Sequence, residues 1–99
     1  MRTALDKLGF YVMNATADDW ESLEQIMPHV EEFVCVTDSS DVARLIVELV
    51  AEGLLEEMKH TPLTPQMIVR TPIEYWFAMT ARGRALWDAE SREYEHDGA

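Results

Sequence analysis

Positive charge is scarce in this sequence: eight Lys and Arg stand against nineteen Asp and Glu, a formal net charge of −11. Nucleic-acid affinity at physiological salt rests largely on cations that neutralise phosphates. The balance therefore argues against a strong non-specific DNA binder, suits solubility, and leaves room only for a local basic face. Cysteine occurs once, at Cys35, which excludes an intramolecular disulfide and agrees with a reducing compartment. The four glycines, at 9, 53, 83 and 98, are too dispersed to build a phosphate-cradling loop. No apolar run approaches the roughly 18 residues of a membrane span. Met1 to Phe10 has neither the apolar stretch nor the small-residue cleavage site of a secretory signal, so the expected location is cytoplasmic, with no membrane partner.

What the sequence does contain is apolar material for one modest core: 99 residues, 47% of them hydrophobic, make one domain and exclude a second. Leu5 to Met13 places Leu5, Leu8, Val12 and Met13 at helical intervals, with Gly9 lowering the propensity by roughly 1 kcal/mol. Asn14 to Ala17 breaks that pattern. Asp18 followed by Glu21 forms a capping pair for a second helix that carries Trp20, Leu23, Ile26 and Met27. Pro28 is expected to end or kink this helix, and His29 to Val36 reads either as a further helical turn or as a short extended piece around Val34, Cys35 and Val36. Thr37, Asp38, Ser39 and Ser40 then offer N-cap oxygens to the clearest helix of the chain, with Val42, Leu45, Ile46, Leu49 and Val50 along one face and Gly53 at its C-terminal end. Leu54 to Lys59 reads as a strand. Pro62, Pro65 and Pro72 make the next stretch a loop, Ile73 to Met79 pairs back as a second strand, and a last helix starts near Thr80. Residues 94–99 are expected to form a frayed tail.

This order, with its junctions, resembles a winged-helix domain over residues 1–93: mainly α, with a three-helix core, a two-stranded antiparallel wing and a C-terminal helix. The segment DVARLIVELVAEGLLEEM, Asp41 to Met58, looks like the third helix and first wing strand of bacterial winged-helix transcriptional regulators. FAMTARGRAL, Phe77 to Leu86, is similar to their second wing strand and the Thr-x-x-Gly turn into a closing helix. Independently of the resemblance, Gly53 lets the chain turn sharply, Thr80 can cap the last helix, and Gly83 permits close helix approach. The resemblance implies that DNA binding is possible, with the third helix in the major groove and the wing on the backbone, although a fold does not establish a function.

The third helix departs from that pattern. Its expected outward positions are Ser39, Ser40, Ala43, Arg44, Val47, Glu48 and Ala51, of which only Arg44 is basic, and Asp41, Glu48 and Glu52 would repel phosphates. The wing carries Lys59, His60 and Arg70 around an apolar centre of Pro62, Leu63, Pro65, Met67, Ile68 and Val69, which either forms a protein contact or folds back over the domain's own core. Strand alternation separates Tyr75, Phe77 and Met79 from Glu74, Trp76 and Ala78, so Trp76 is a candidate anchor. Two readings follow. One is a non-enzymatic module that makes a protein contact or dimerises through its wing, with Leu63, Met67, Ile68, Val69 and Trp76 as contact residues. The other is a DNA-binding regulator that uses Ser39, Ser40, Arg44, Lys59, His60 and Arg70.

Catalytic, metal and cofactor chemistry find no support. His29, Cys35 and His60 lack zinc-site spacing, and Cys35 between two valines is expected to be a buried, inert thiol. The pairs Asp18/Asp19, Glu31/Glu32 and Glu56/Glu57 point apart and are expected on solvated faces. Ser39 and Ser40 sit where caps are needed rather than in a nucleophile turn. Trp20 and Trp87 are expected on the inward faces of their helices, and no small-molecule pocket is legible.

Overall fold

A computed structural model describes residue 2, residues 4–35 and residues 38–97. It shows a mainly helical chain with a small antiparallel sheet: α1 (Lys7–Ala15), β1 (Glu21–Ser22), α2 (Leu23–Phe33), α3 (Ser39–Ala51), β2 (Leu55–Glu57), α4 (Pro65–Arg70), β3 (Trp76–Met79) and α5 (Ala81–Asp97). The sheet has three strands in the order β1-β3-β2 rather than the two expected. β3 pairs with β2 from Leu55 opposite Met79 to Glu57 opposite Phe77, and with β1 through Glu21 opposite Phe77 and Ser22 opposite Trp76.

Each helix starts where a side chain satisfies an orphan amide. Asp6 accepts the Gly9 N–H at 2.7 Å and starts α1. Asp38 accepts the Ser40 N–H at 2.8 Å and starts α3, so of the expected caps it is Asp38 that serves, while Thr37 and Val36 lie outside the described residues. The second helix begins later than Asp18: the Ser22 N–H donates to Gln25 Oε1 at 3.1 Å, a capping box four residues downstream of the expected pair. Trp20 therefore precedes β1 and is half-buried, not helical.

Pro28 does not end α2, which continues to Phe33. Proline in a helix interior costs about 3 kcal/mol, but Leu23, Ile26 and Val30 on the same helix are fully buried. Burying each of those side chains yields about 1.5–3 kcal/mol, so continuing the helix wins, and Pro28 sits on the exposed side. Val34 then turns extended. Cys35 falls beyond the helix and is exposed, contrary to the buried thiol expected, because the chain has already left the core surface when it reaches that position.

The end of α3 follows the expectation closely. Gly53 adopts φ +75°, its N–H bonds to Val50 O at 3.1 Å, and the Leu54 N–H bonds to Leu49 O at 2.9 Å; this is a Schellman cap with both leucines buried. Thr80 and Gly83 lock onto this corner. Thr80 donates its hydroxyl to Gly53 O at 2.6 Å and accepts the Gly83 N–H at 3.0 Å, and the Thr80 N–H reaches Leu54 O at 3.2 Å. α5 then runs to Asp97, so helix extends into the stretch where a tail was expected.

The core joins α1, α2, α3 and the inner face of the sheet, with Met13, Ile26, Val30, Ile46, Leu49, Leu55 and Phe77 at its centre. Aromatic seams flank it. Tyr11 stacks on Phe33 with centroids 4.5 Å apart, and Trp87, half-buried on α5, stacks on Phe10 at 6.5 Å. No helix among the described residues is long and apolar enough to cross a membrane.

Candidate functional site

The segment with three prolines, expected to be an irregular loop, contains α4. Thr64 caps it by accepting the Met67 N–H at 3.4 Å, and Pro65 occupies its first turn, where the missing amide and fixed φ of proline are favourable. α4 packs against α3 and buries Ile68. The preceding residues Thr61, Pro62 and Leu63 border Val47, Val50 and Ala51 of α3, leaving a small groove between them. Of the two wing alternatives, folding back over the domain is the one adopted for Ile68, Leu63 and Val69, which join the core or pack against it.

The outer face of α3 differs from the one expected. Ala43, expected outward, is fully buried, and Val47 is half-buried. Towards the other end of α3, Arg2 pairs with Glu52 at 3.2 Å and approaches Glu48 at 4.0 Å, and its backbone N–H donates to Glu52 Oε1 at 2.9 Å. Arg44 and Asp41 form an exposed ion pair at 3.4 Å. The third helix is thus covered by α4 and the loop before it on one side and approached by the N-terminal segment at its end.

Between α3 and α4 lies a groove of about 250 Å³ lined by Ser40, Arg44, Pro65, Gln66, Val69 and Arg70. It gathers three of the six candidate DNA contacts, Ser40, Arg44 and Arg70. Ser39 is half-buried in the first turn of α3, while Lys59 and His60 are exposed beyond the end of β2 and are not part of the groove. His60 has a separate role: it takes φ +56°, the one positive φ at a non-glycine residue among those described.

Glu57 explains that turn. Its carboxylate, expected on a solvated face, is buried and accepts the Lys59 N–H and the Thr61 N–H, each at 2.7 Å. Glu56 and Glu57 do point apart, as strand geometry requires, but the inward one serves as the hydrogen-bond acceptor for the backbone amides of the turn. The pairs Asp18/Asp19 and Glu31/Glu32 are exposed.

The candidate protein contacts divide. Ile68 is buried; Leu63, Met67 and Val69 are half-buried; and Trp76 is half-buried on the sheet face opposite Phe77. Among the described residues the large apolar side chains most open to solvent are others: Ile73 at 61%, Met58 at 47% and Phe33 at 43%. Met58 follows β2 and donates its backbone N–H to Trp76 O at 2.9 Å, so it lies beside Trp76, and Ile73 sits on the turn that leads into β3. Sequence reasoning missed Met58 and Ile73. The period-two alternation that marked Trp76 would have found Met58, which follows Glu56 by two and so falls on the outward side.

Glu21, opposite Phe77 on β1, has its carboxyl pushed above the ordinary carboxylate value, first by burial and then by the charge of Asp19, with His29 acting the other way. Asn14 Nδ2 and His29 Nε2 are hydrogen-bonded at 2.9 Å. Among the described residues no three His, Cys, Asp or Glu side chains are grouped to hold a metal ion.

No known protein family, no curated protein and no solved structure matches the chain.

Proposed function

We propose that this chain is a non-enzymatic module on the winged-helix plan that makes protein contact through its wing, a second copy of the chain being the first partner to test. The plan is supported by the helix and strand order, by a short strand between the first two helices, and by the Thr80 and Gly83 junction. The contact reading rests on one observation: α4 packs against α3, on which Ala43 is fully buried, while Met58 after β2 and Ile73 before β3 are open to solvent and Trp76 is half-buried. A helix that is to enter a major groove needs its outer face free and lined with groups that read base edges or neutralise phosphates. Here that face is partly covered and exposes Asp41 and Glu48. The contact surface moves accordingly from the wing's centre, which is folded inward, to its outer side.

The convergence of Ser40, Arg44 and Arg70 favours the second reading, DNA recognition, to the extent that two guanidiniums can hold phosphates. Fluorescence anisotropy of a labelled mixed-sequence duplex, titrated with protein at low and then moderate salt, separates the two. The contact module gives no binding at low salt up to high micromolar protein. Binding that falls steeply as salt rises, and weakens in Arg44→Ala and Arg70→Ala, would establish the DNA reading instead.

A further inference from the structure

The groove between α3 and α4 has a composition unlike the rest of the chain. Acidic residues outnumber basic ones nineteen to eight, yet none of the six residues that line this groove is acidic and two are arginines. Arg44 stands on the α3 wall and Arg70 on the last turn of α4. Pro65 and Val69, one turn apart on α4, supply an apolar side, and Ser40 and Gln66 supply hydrogen-bonding groups.

We propose that this groove binds a small organic carboxylate with a compact apolar body. The guanidinium group is planar and presents paired N–H donors that match the two oxygens of a carboxylate. Arg70 has no side-chain partner among the described residues. Among the described residues Arg44 is held by Asp41 alone, at 3.4 Å, with both side chains more than half exposed. An exposed pair of that kind contributes little, so its replacement by a ligand carboxylate is cheap. The volume guides the size. About 250 Å³ is room for about eight waters at roughly 30 Å³ each, below the range of roughly 300–1,000 Å³ for drug-sized ligands, which fits a benzoate-sized acid. Pro65 and Val69 take the apolar body, and the arginines on the two walls take the charge.

The test uses the full chain and amide NMR at constant ionic strength, with sodium benzoate as the probe and benzamide as its neutral counterpart. Benzoate shifts the resonances of Ser40, Arg44, Gln66, Val69 and Arg70 saturably, and benzamide does not. Arg44→Gln and Arg70→Gln, at exposed positions that leave the fold intact, each weaken benzoate binding about tenfold or more. Absence of saturable shifts at millimolar benzoate overturns the proposal. So does an equal response to benzamide, or benzoate binding that survives in the double variant. Competition by duplex DNA that binds more tightly than benzoate also overturns it, by assigning the two guanidiniums to phosphate. None of these readouts depends on self-association, so the result stands apart from that of the wing contact.

Discussion

Replacing Gly83 by alanine places a methyl group where the structure has no room. A Cβ built at Gly83 falls 2.0 Å from Leu54 O and 2.8 Å from Met13 Cε. The methionine end can move, but the carbonyl belongs to the Schellman corner after α3 and already accepts the Thr80 N–H. To reach ordinary contact, α5 must shift by more than 1 Å, a distance set by the difference between 2.0 Å and the 3.4 Å where normal packing begins. Overpacking of this kind costs about 1–3 kcal/mol. The shift also strains the Thr80 bonds to Gly53 O and Leu54 O, each worth about 0.5–1.5 kcal/mol, and alanine returns about 1 kcal/mol of helix propensity. The net loss is about 1–5 kcal/mol. At roughly 4–8 °C per kcal/mol for a chain of this size, the melting temperature falls by about 4–40 °C. Urea unfolding followed by circular dichroism measures the loss of stability directly. Gly9→Ala is the control: its Cβ meets the end of the Asp6 side chain at 2.9 Å, and loosening the cap that Asp6 makes to the Gly9 N–H costs about 0.5–2 kcal/mol, which a helix gain of about 1 kcal/mol offsets, so the change stays within about 1 kcal/mol of wild type. If Gly83→Ala unfolds at the same urea concentration as wild type, the close approach of α5 to the Gly53 corner is refuted.

Three further outcomes follow from the same structure. Glu57→Ala removes the acceptor of two backbone amides in the turn after β2 and is expected to lower stability by about 2 kcal/mol in urea unfolding; a neutral result would show the buried carboxylate to be dispensable. His60 holds φ +56°, so His60→Gly is expected to match or exceed wild-type stability, whereas His60→Val loses about 1–2 kcal/mol at a φ that β-branched residues avoid. Glu21 has its carboxyl raised by burial and by Asp19, so the folded state holds the proton more tightly than the unfolded chain does, and stability declines as pH rises from the ordinary carboxylate value through the raised one. Glu21→Gln therefore stabilises the protein more at pH 7 than at pH 4, read as a difference in melting temperature; equal differences at both pH values would count against that environment.

The parts of the fold legible in the sequence are those fixed by local chemistry. α3 carries its cap at Asp38, its apolar face from Val42 to Val50 and its stop at Gly53 within one short window, and the Thr80 to Gly83 turn states its own purpose. β1 left no such mark, because Glu21 and Ser22 are a strand only by pairing with Phe77 and Trp76, far along the chain. Pro28 argued for a helix end, and burial of Ile26 and Val30 on either side of it outweighed the local penalty. α4 was hidden by the weight of three prolines, although Thr64 followed by Pro65 is a helix start in its own right. The groove was illegible for the same reason: Arg44 and Arg70 are brought together only when residues 65–70 coil into α4 and lie on α3. Lys59 and His60, which seemed to belong with them, are separated by the turn that Glu57 holds.

The wing contact itself is tested most directly by sedimentation velocity from low to high micromolar concentration, comparing wild type with Met58→Asp/Ile73→Asp. Both side chains are open to solvent, so the substitutions leave the core untouched, and unfolding by circular dichroism verifies this. The account predicts a wild-type dimer that forms with rising concentration and a double variant that stays monomeric with the wild-type unfolding midpoint. A wild-type chain that remains monomeric throughout, or a dimer that persists unchanged in the double variant, would contradict a self-contact through the outer side of the wing.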